Sequence, residues 1–360
     1  MSIVFTESFD HYGTEVARLS AGKWTDGAPT NGSISANGRC GTSCYRNNSS
    51  GNIGPMVGLV IGDQFSWGQV AVFRESTQSG SADLQWRSAI GTIQFFFRFP
   101  SDGSVQAWRG PNVTLGTLLG SSAPAVWSLN QYFVFEWEVT ISATVGTFQA
   151  WIDGAQVIAL AVGQDTQTNP AFATKGPYSN ILFSMINAYC IDDVICGDGI
   201  DSGIAGKPNN GRIGPAHVTA ALAELDSVVG GGFHKDFTVL SAADHGAMVD
   251  DNPPDDDTTY NSSLSPGNRD SYTFPDIKIG TGDVYAVNVL PMVKKSDTFN
   301  TRLIKPLVRS GGVSAVGTSQ AVPDTQYEYR WEIFDGNPVG SVAWTVASVN
   351  AAEFGLEDFA

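Results

Sequence analysis

The sequence has 360 residues, and its 20 basic and 36 acidic side chains leave a formal net charge of −16. That length suits about two domains, and 42% hydrophobic residues supply enough core to exclude wholesale disorder. Only 16% of residues are charged, against roughly 25% on average, which disfavours coiled coils and long solvated helices. The 40 glycines show no three-residue period, so collagen is excluded. The acidic excess repels phosphate backbones and anionic lipid surfaces, so neither nucleic acid nor a membrane is an expected partner.

The segment Met1–His11 carries Glu7 and Asp10 and has no basic n-region or apolar h-region. No secretory signal is expected, and synthesis in the cytoplasm follows as an expectation. The runs Thr92–Phe97 and Tyr132–Phe135 are too short to cross a bilayer. Through the first 200 residues aromatic and small polar residues alternate, the period of strands. In Tyr132–Ile141, residues Phe133, Phe135, Trp137, Val139 and Ile141 share one face, and Val134, Glu136, Glu138 and Thr140 the other. Thr147–Ile152 and Ala155–Leu160 flank Asp153-Gly154, the dipeptide favoured by a type I′ hairpin turn because both central residues take positive φ. Further strands are expected at Val57–Ile61, Gln69–Arg74, Thr92–Phe99, Ser104–Trp108, Ile181–Ile186 and Cys190–Cys196. Many short strands with Gly, Pro and Asn punctuation predict a β-sandwich or jelly roll.

Composition changes near residue 200. Seven of the nine Trp and all four Cys precede it, and Gly197–Gly214 is rich in Gly, Asp and Asn. The expected domains are therefore 1–198 and 199–360. The second has strand signals at Asp283–Leu290, Arg302–Val308, Gln326–Trp331 and Ser341–Val346, while Ala216–Asp226 reads as helix or strand.

The run Phe133–Leu160, with its aromatic strand and Asp-Gly turn, resembles concanavalin A-like, laminin-G-like jelly rolls. The opening FTESFDHY with Trp24, the stretch Gly38–Asn47 and the closing Ile191-Asp192-Asp193-Val194 agree with that resemblance. It implies an all-β fold: a concanavalin A-like jelly roll followed by a second, smaller β-sandwich. The second half resembles a module of tailed-bacteriophage virion proteins, carried by Val249–Tyr260, Asp270–Phe274, Arg309–Gly312 and Trp344–Gly355. This implies a virion structural protein whose partners are other phage structural proteins and further copies of itself. In that setting the second module docks on the particle and the jelly roll is left exposed.

Candidate chemistry is sparse. Glu136 and Glu138 share a strand face at about 7 Å, but a retaining glycosidase needs two carboxyls about 5–5.5 Å apart in an open cleft. They read instead as a polar face paired with neighbours such as Arg98. The four histidines, His11, His217, His234 and His245, lack metal-ligand spacing, and neither Gly-x-Ser-x-Gly nor a phosphate-cradling loop is present. No enzyme, cofactor or resident metal is expected. The acidic loop Asp250–Asp257 offers hard oxygens but not the spacing of a calcium loop, and reads as solvated.

Cys40, Cys44, Cys190 and Cys196 form a candidate disulfide cluster. Their spacings fall outside tight zinc knuckles, and reduced core thiols are the alternative. Cys190 and Cys196 share strand parity, and the family resemblance would bring the Cys40–Cys44 strand near the closing strand. Four cysteines allow three pairings, and the choice stays open. Trp24, Trp67, Trp86 and Trp108 are the candidate stacking platform for a glycan, Trp127 being a further one. The resulting expectation is a non-enzymatic virion component, with a host-glycan-binding fibre module as the alternative and a polysaccharide glycosidase third.

Overall fold

A computed structural model describes residues 3–12, 24, 32–39, 43–47, 56–58, 65–75, 82–88, 91–168, 180–184, 189–198, 228–241, 244–251, 254–277, 283–322 and 325–359. The described residues belong to two compact units, 3–198 and 228–359. Of the expected boundary 197–214 only residues 197 and 198 lie among them, and 216–226 lies outside.

The first unit is a jelly roll with fourteen strands among the described residues. They are β1 (Ile3–Glu7), β2 (Gly32–Ser35), β3 (Cys44–Asn47), β4 (Met56–Gly58), β5 (Phe65–Arg74), β6 (Ala82–Arg87) and β7 (Ile93–Phe99), then β8 (Gln106–Arg109), β9 (Thr117–Ser121), β10 (Tyr132–Thr140), β11 (Gly146–Ile152), β12 (Ala155–Gln164), β13 (Asn180–Ser184) and β14 (Tyr189–Asp198). One sheet has the order β12-β11-β10-β5-β14-β3-β2, with β1 also on β14; the other runs β4-β13-β6-β7-β8-β9. Every pairing is antiparallel.

The alternation read in β10 is what joins the sheets. Its inward Phe133, Phe135, Trp137 and Val139 are buried and meet inward aromatics of β6 and β7. Phe135 lies 5.1 Å from Phe97 and 4.8 Å from Phe99, and Trp137 crosses Trp86 edge-on at 5.8 Å. Each such side chain contributes about 1.5–3 kcal/mol by leaving water, and the edge-to-face geometry adds to it. Trp137 has room because its register partner on β5 is Gly68. Asp153 and Gly154 adopt φ of 48° and 77°, as a type I′ turn requires, and Ile152 pairs with Ala155 across it. The Asp153 carboxylate further accepts the Val134 N–H at 2.8 Å, tying the turn to β10.

The closing strand departs from simple alternation. Along β14, Asp192 faces Ala71 but Ile195 already faces Gln69, so one extra residue is inserted. Asp193 takes a left-handed φ of 49° there, and Asp192 accepts its N–H at 2.8 Å and that of Arg39 at 2.8 Å. The Asp-Asp pair is thus a β-bulge with its own hydrogen-bond acceptor.

The second unit is a smaller β-sandwich. Its main sheet has the strand order Gly230–Lys235, Arg269–Thr273, Glu353–Asp358, Arg302–Ser310 and Val313–Val316, with Gln320–Val322 also on Arg302–Ser310. Four two-stranded sheets complete the described part. Val289, Val308, Trp344, Val349, Ala352 and Phe354 form a core with Phe274 and Ile277 against it. The expected strand Asp283–Leu290 is split into Asp283–Val284 and Val287–Val289. Ser341–Val346 is corrected more strongly. Only Trp344–Thr345 is strand, and Val346–Asn350 is helix. Thr345 and Ser348 exchange side-chain and backbone hydrogen bonds at 3.1 and 2.9 Å, a capping box that starts the helix despite β-branched residues.

Candidate functional site

Two sheet faces turned away from the core between the sheets carry polar chemistry. On the eight-stranded sheet, Glu136 lies between Gln69 and Trp151, and Glu138 between Trp67 and Gln149. Directly opposed residues share a face, so these six form one patch. The Gln149 amide donates to Glu138. Glu136, Gln69, Trp67 and Trp151 are all buried, so this acidic pair does not line an open cleft. Arg98 is no partner of it: β7 belongs to the other sheet, and there its guanidinium bonds Asp83 in a bidentate pair at 2.7 and 2.8 Å.

That pair belongs to the more promising face, on the outside of the six-stranded sheet. The pairings β6·β7, β7·β8 and β8·β9 set two rows side by side. One row is Gln85, Phe96, Trp108 and Leu118; the next is Asp83, Arg98 and Gln106. The Trp108 and Phe96 rings stack with planes 6° apart and centroids at 6.1 Å. The Arg98 guanidinium lies 5.8 Å from the Phe96 ring, and Gln106 accepts the Trp108 indole N–H at 3.0 Å. Arg87 donates to Gln85 at 3.0 Å. Burial raises the Asp83 carboxyl above the usual range, and Arg98 opposes that rise. Phe96 is fully covered while Trp108 is partly open and Leu118 is 46% exposed. A ligand would therefore meet Trp108 backed by a fixed ring, beside oriented guanidinium and amide groups. An apolar ring bordered by planar donors and acceptors can take one face of a sugar and bond its hydroxyls.

The other aromatic candidates sit elsewhere. Trp24 is buried, stacked on Phe9 at 5.7 Å, and Trp86 is enclosed by Phe95, Phe97 and Trp137. Trp67 is buried over Gly197, and Trp127 donates its indole N–H to the Ser104 carbonyl at 3.0 Å. The four-tryptophan platform is corrected to Trp108 alone: Trp24 and Trp86 are packed among other rings, and Trp67, although on the outer face beside Glu138, is buried. The sequence pattern singled out none of Asp83, Gln85, Phe96 and Gln106, and it set Arg98 beside Glu136 and Glu138 rather than Asp83. The period-2 signal was there in Asp83-x-Gln85-x-Arg87 and Gln94-x-Phe96-x-Arg98, but the run Phe95-Phe96-Phe97 hides which ring points out.

Cys40 lies outside the described residues. Cys44, Cys190 and Cys196 are buried free thiols. Cys44 and Cys190 share the outer face of neighbouring strands and shift each other's titration, Cys44 downward and Cys190 upward. The bulge corrects the parity of the closing strand: Cys190 pairs with Phe73 on the outer face, whereas Cys196 pairs with Gly68 on the core face. Core burial pushes the Cys196 thiol well above its ordinary value. In the acidic loop, Asp251 and Asp255 accept the Thr259 hydroxyl at 3.1 and 2.9 Å, and Asp257 binds Lys294 and the Tyr327 hydroxyl. Among the described residues, no group of three or more His, Cys, Asp or Glu side chains is placed to hold a metal.

No family model matches the chain, and no curated protein matches it. Among solved structures, galectin LEC-6 of Caenorhabditis elegans is similar at 12% identity over 39% of this chain and 89% of its own, with a TM-score of 0.28. Sheep galectin-11 is similar at 12% identity over 39% and 94%, with a TM-score of 0.28. A Trypanosoma rangeli sialidase is similar at 11% identity over 46% of this chain and 26% of its own, with a TM-score of 0.29. At such TM-scores these likenesses carry no argument, and the jelly roll rests on the strand order and register described above.

Proposed function

We propose that the chain is a non-enzymatic attachment protein of a tailed-phage particle, and that its jelly roll holds a glycan on the outer face of the six-stranded sheet. The observation that carries the glycan reading is Trp108 stacked on Phe96 beside the Asp83–Arg98 pair and Gln106. Sugar recognition needs this combination, since the ring face removes C–H surface from water while pre-oriented donors bond hydroxyls at little entropic cost. The absence of an open acid pair around Glu136 and Glu138 supports binding without hydrolysis. The resemblance of the second half to virion modules supports the particle setting. Contact with further copies is supported by edge strand β12, which exposes Leu160 and Val162 by 55% and 63%.

Titration of the full chain with bacterial surface polysaccharides and lipopolysaccharide on an array tests the reading. Binding is expected, with Trp108→Ala weakening it by about tenfold or more, equivalent to about 1.4 kcal/mol or more. Absence of binding across the array, or unchanged affinity in a folded Trp108→Ala variant, refutes the glycan site.

A further inference from the structure

The pairing of Cys44 with Cys190 has a use that glycan binding does not absorb. The strands β3 and β14 pair antiparallel with Cys190 opposite Arg46 and Ile191 opposite Tyr45. Cys44 stands two residues from Arg46, so its side chain is on the same outer face as that of Cys190, one diagonal step away. The register therefore sets the two thiols side by side across neighbouring strands, near enough for each to shift the other's titration. Cys196 is removed from them by the bulge, which turns it to the core. Cys44 also sits one strand from the end of the sheet, opposite Ser35 on β2.

We propose that Cys44 and Cys190 are a redox-modification site that closes to a cross-strand disulfide on exposure to a hydroperoxide. The site is built for the first step. The Cys190 thiol donates to Cys44 and lowers it to about 7; burial opposes this, while the Tyr132 and Ser35 hydroxyls and the Arg46 charge assist. Cys190 is correspondingly pushed up, first by that shared bond and then by burial. The opposite directions of the two shifts make Cys44 the attacking sulfur and leave the proton on Cys190.

The Cys44 sulfur attacks one oxygen of the hydroperoxide ROOH and the O–O bond breaks. The departing RO⁻ takes a proton from solvent and leaves as ROH, and Cys44 becomes a sulfenic acid. The Cys190 sulfur then displaces hydroxide from the Cys44 sulfur, and its thiol proton leaves with that hydroxide as water. Each sulfur is oxidised by one electron, and the peroxide is reduced by two. The bond closes a loop of about 150 residues, which constrains the unfolded chain strongly.

The test treats the full-length Cys40→Ser chain with hydrogen peroxide, then blocks remaining thiols and digests it without reductant. Cleavage before Asp192 separates Cys190 from Cys196, so mass spectrometry assigns the bond. The expected product is a peptide joining Cys44 to Cys190, with a melting temperature raised by on the order of 10 °C that returns on reduction. Cys44→Ser, or Cys44→Ala where serine is not tolerated, should abolish both the linked peptide and the shift. Cys190 bonded to another cysteine, or Cys44 driven to sulfinic acid with Cys190 still a thiol, overturns the proposal. So does a Cys44–Cys190 bond that forms only after unfolding.

Discussion

Gly68 is the position where one methyl group should do most damage. A Cβ there would lie 2.3 Å from Trp137 Cζ2 and 2.4 Å from the Ile195 carbonyl oxygen, where ordinary contact begins at 3.4 Å. About an ångström of overlap must be relieved on each side. The Trp137 ring cannot swing freely, because it is 1% exposed, crossed by Trp86 at 5.8 Å and bonded through Nε1 to Ser66 Oγ at 3.2 Å. Ile195 is held in the β14·β5 ladder next to the bulge. Overpacking of this kind costs about 1–3 kcal/mol, and loss of the indole bond adds about 1 kcal/mol. The smaller unfolded-state entropy of alanine returns about 0.4–1 kcal/mol. Gly68→Ala should therefore destabilise the jelly roll by about 2–3 kcal/mol, lowering its melting temperature by roughly 4–12 °C. Thermal unfolding followed by near-ultraviolet circular dichroism reads this directly. Combining Gly68→Ala with Trp137→Phe removes the six-membered ring edge that clashes, so the two losses should fall short of additive by at least about 0.5 kcal/mol. A melting temperature within a degree of the parent, or strict additivity, refutes the close-packing argument.

Two further outcomes follow from buried carboxyls. Burial, then the neighbouring Asp193 charge, push the Asp192 carboxyl up to about 8. The folded chain thus keeps a proton that the unfolded chain releases near 3.8, so its stabilisation is complete below about pH 4 and is lost as pH rises through about 8. Urea unfolding across that window should show a falling stability that Asp192→Asn flattens, and an unchanged slope in the variant would remove Asp192 as the cause. In the second unit, Tyr272 donates to the buried Asp270 carboxyl at 2.8 Å and accepts from Asn261 at 3.0 Å, while His245 reaches the same carboxyl oxygen at 2.9 Å. Tyr272→Phe should cost about 1–3 kcal/mol in chemical denaturation, and a loss below about 0.5 kcal/mol would mean that water replaces the hydroxyl.

The sequence was most informative where one local rule acts alone. The Asp153-Gly154 turn and the two faces of β10 follow from backbone sterics and period-2 alternation, and both stand as read. Long-range pairing was not legible, because nothing local tells Arg98 whether Glu138 or Asp83 will be its neighbour. Register was equally hidden in β14. Asp192-Asp193 carries no glycine to announce a bulge, yet that single inserted residue sends Cys190 and Cys196 to opposite faces. Tryptophan placement failed for an energetic reason. Ring type alone does not distinguish a side chain filling the sandwich, such as Trp86, from one on its surface, such as Trp108; only the strand's facing does.

The place of β14 has a consequence for how the jelly roll is made. It is the last described strand of the unit in sequence, yet it lies inside the sheet, with β5 on one side and β3 and β1 on the other. A ribosome delivering the chain from its N-terminus exposes the waiting edges of β5, β3 and β1 until residues 189–198 emerge. At about 5–20 residues per second, the more than a hundred residues between β5 and β14 hold that slot open for several seconds or longer. Unpaired edges flanked by Val70, Val72 and Tyr45 are the surfaces on which nascent chains stick to one another. Correct assembly therefore depends on what shields that slot during synthesis, and the yield of folded protein should respond to translation speed across residues 75–189 more than to speed elsewhere in the unit.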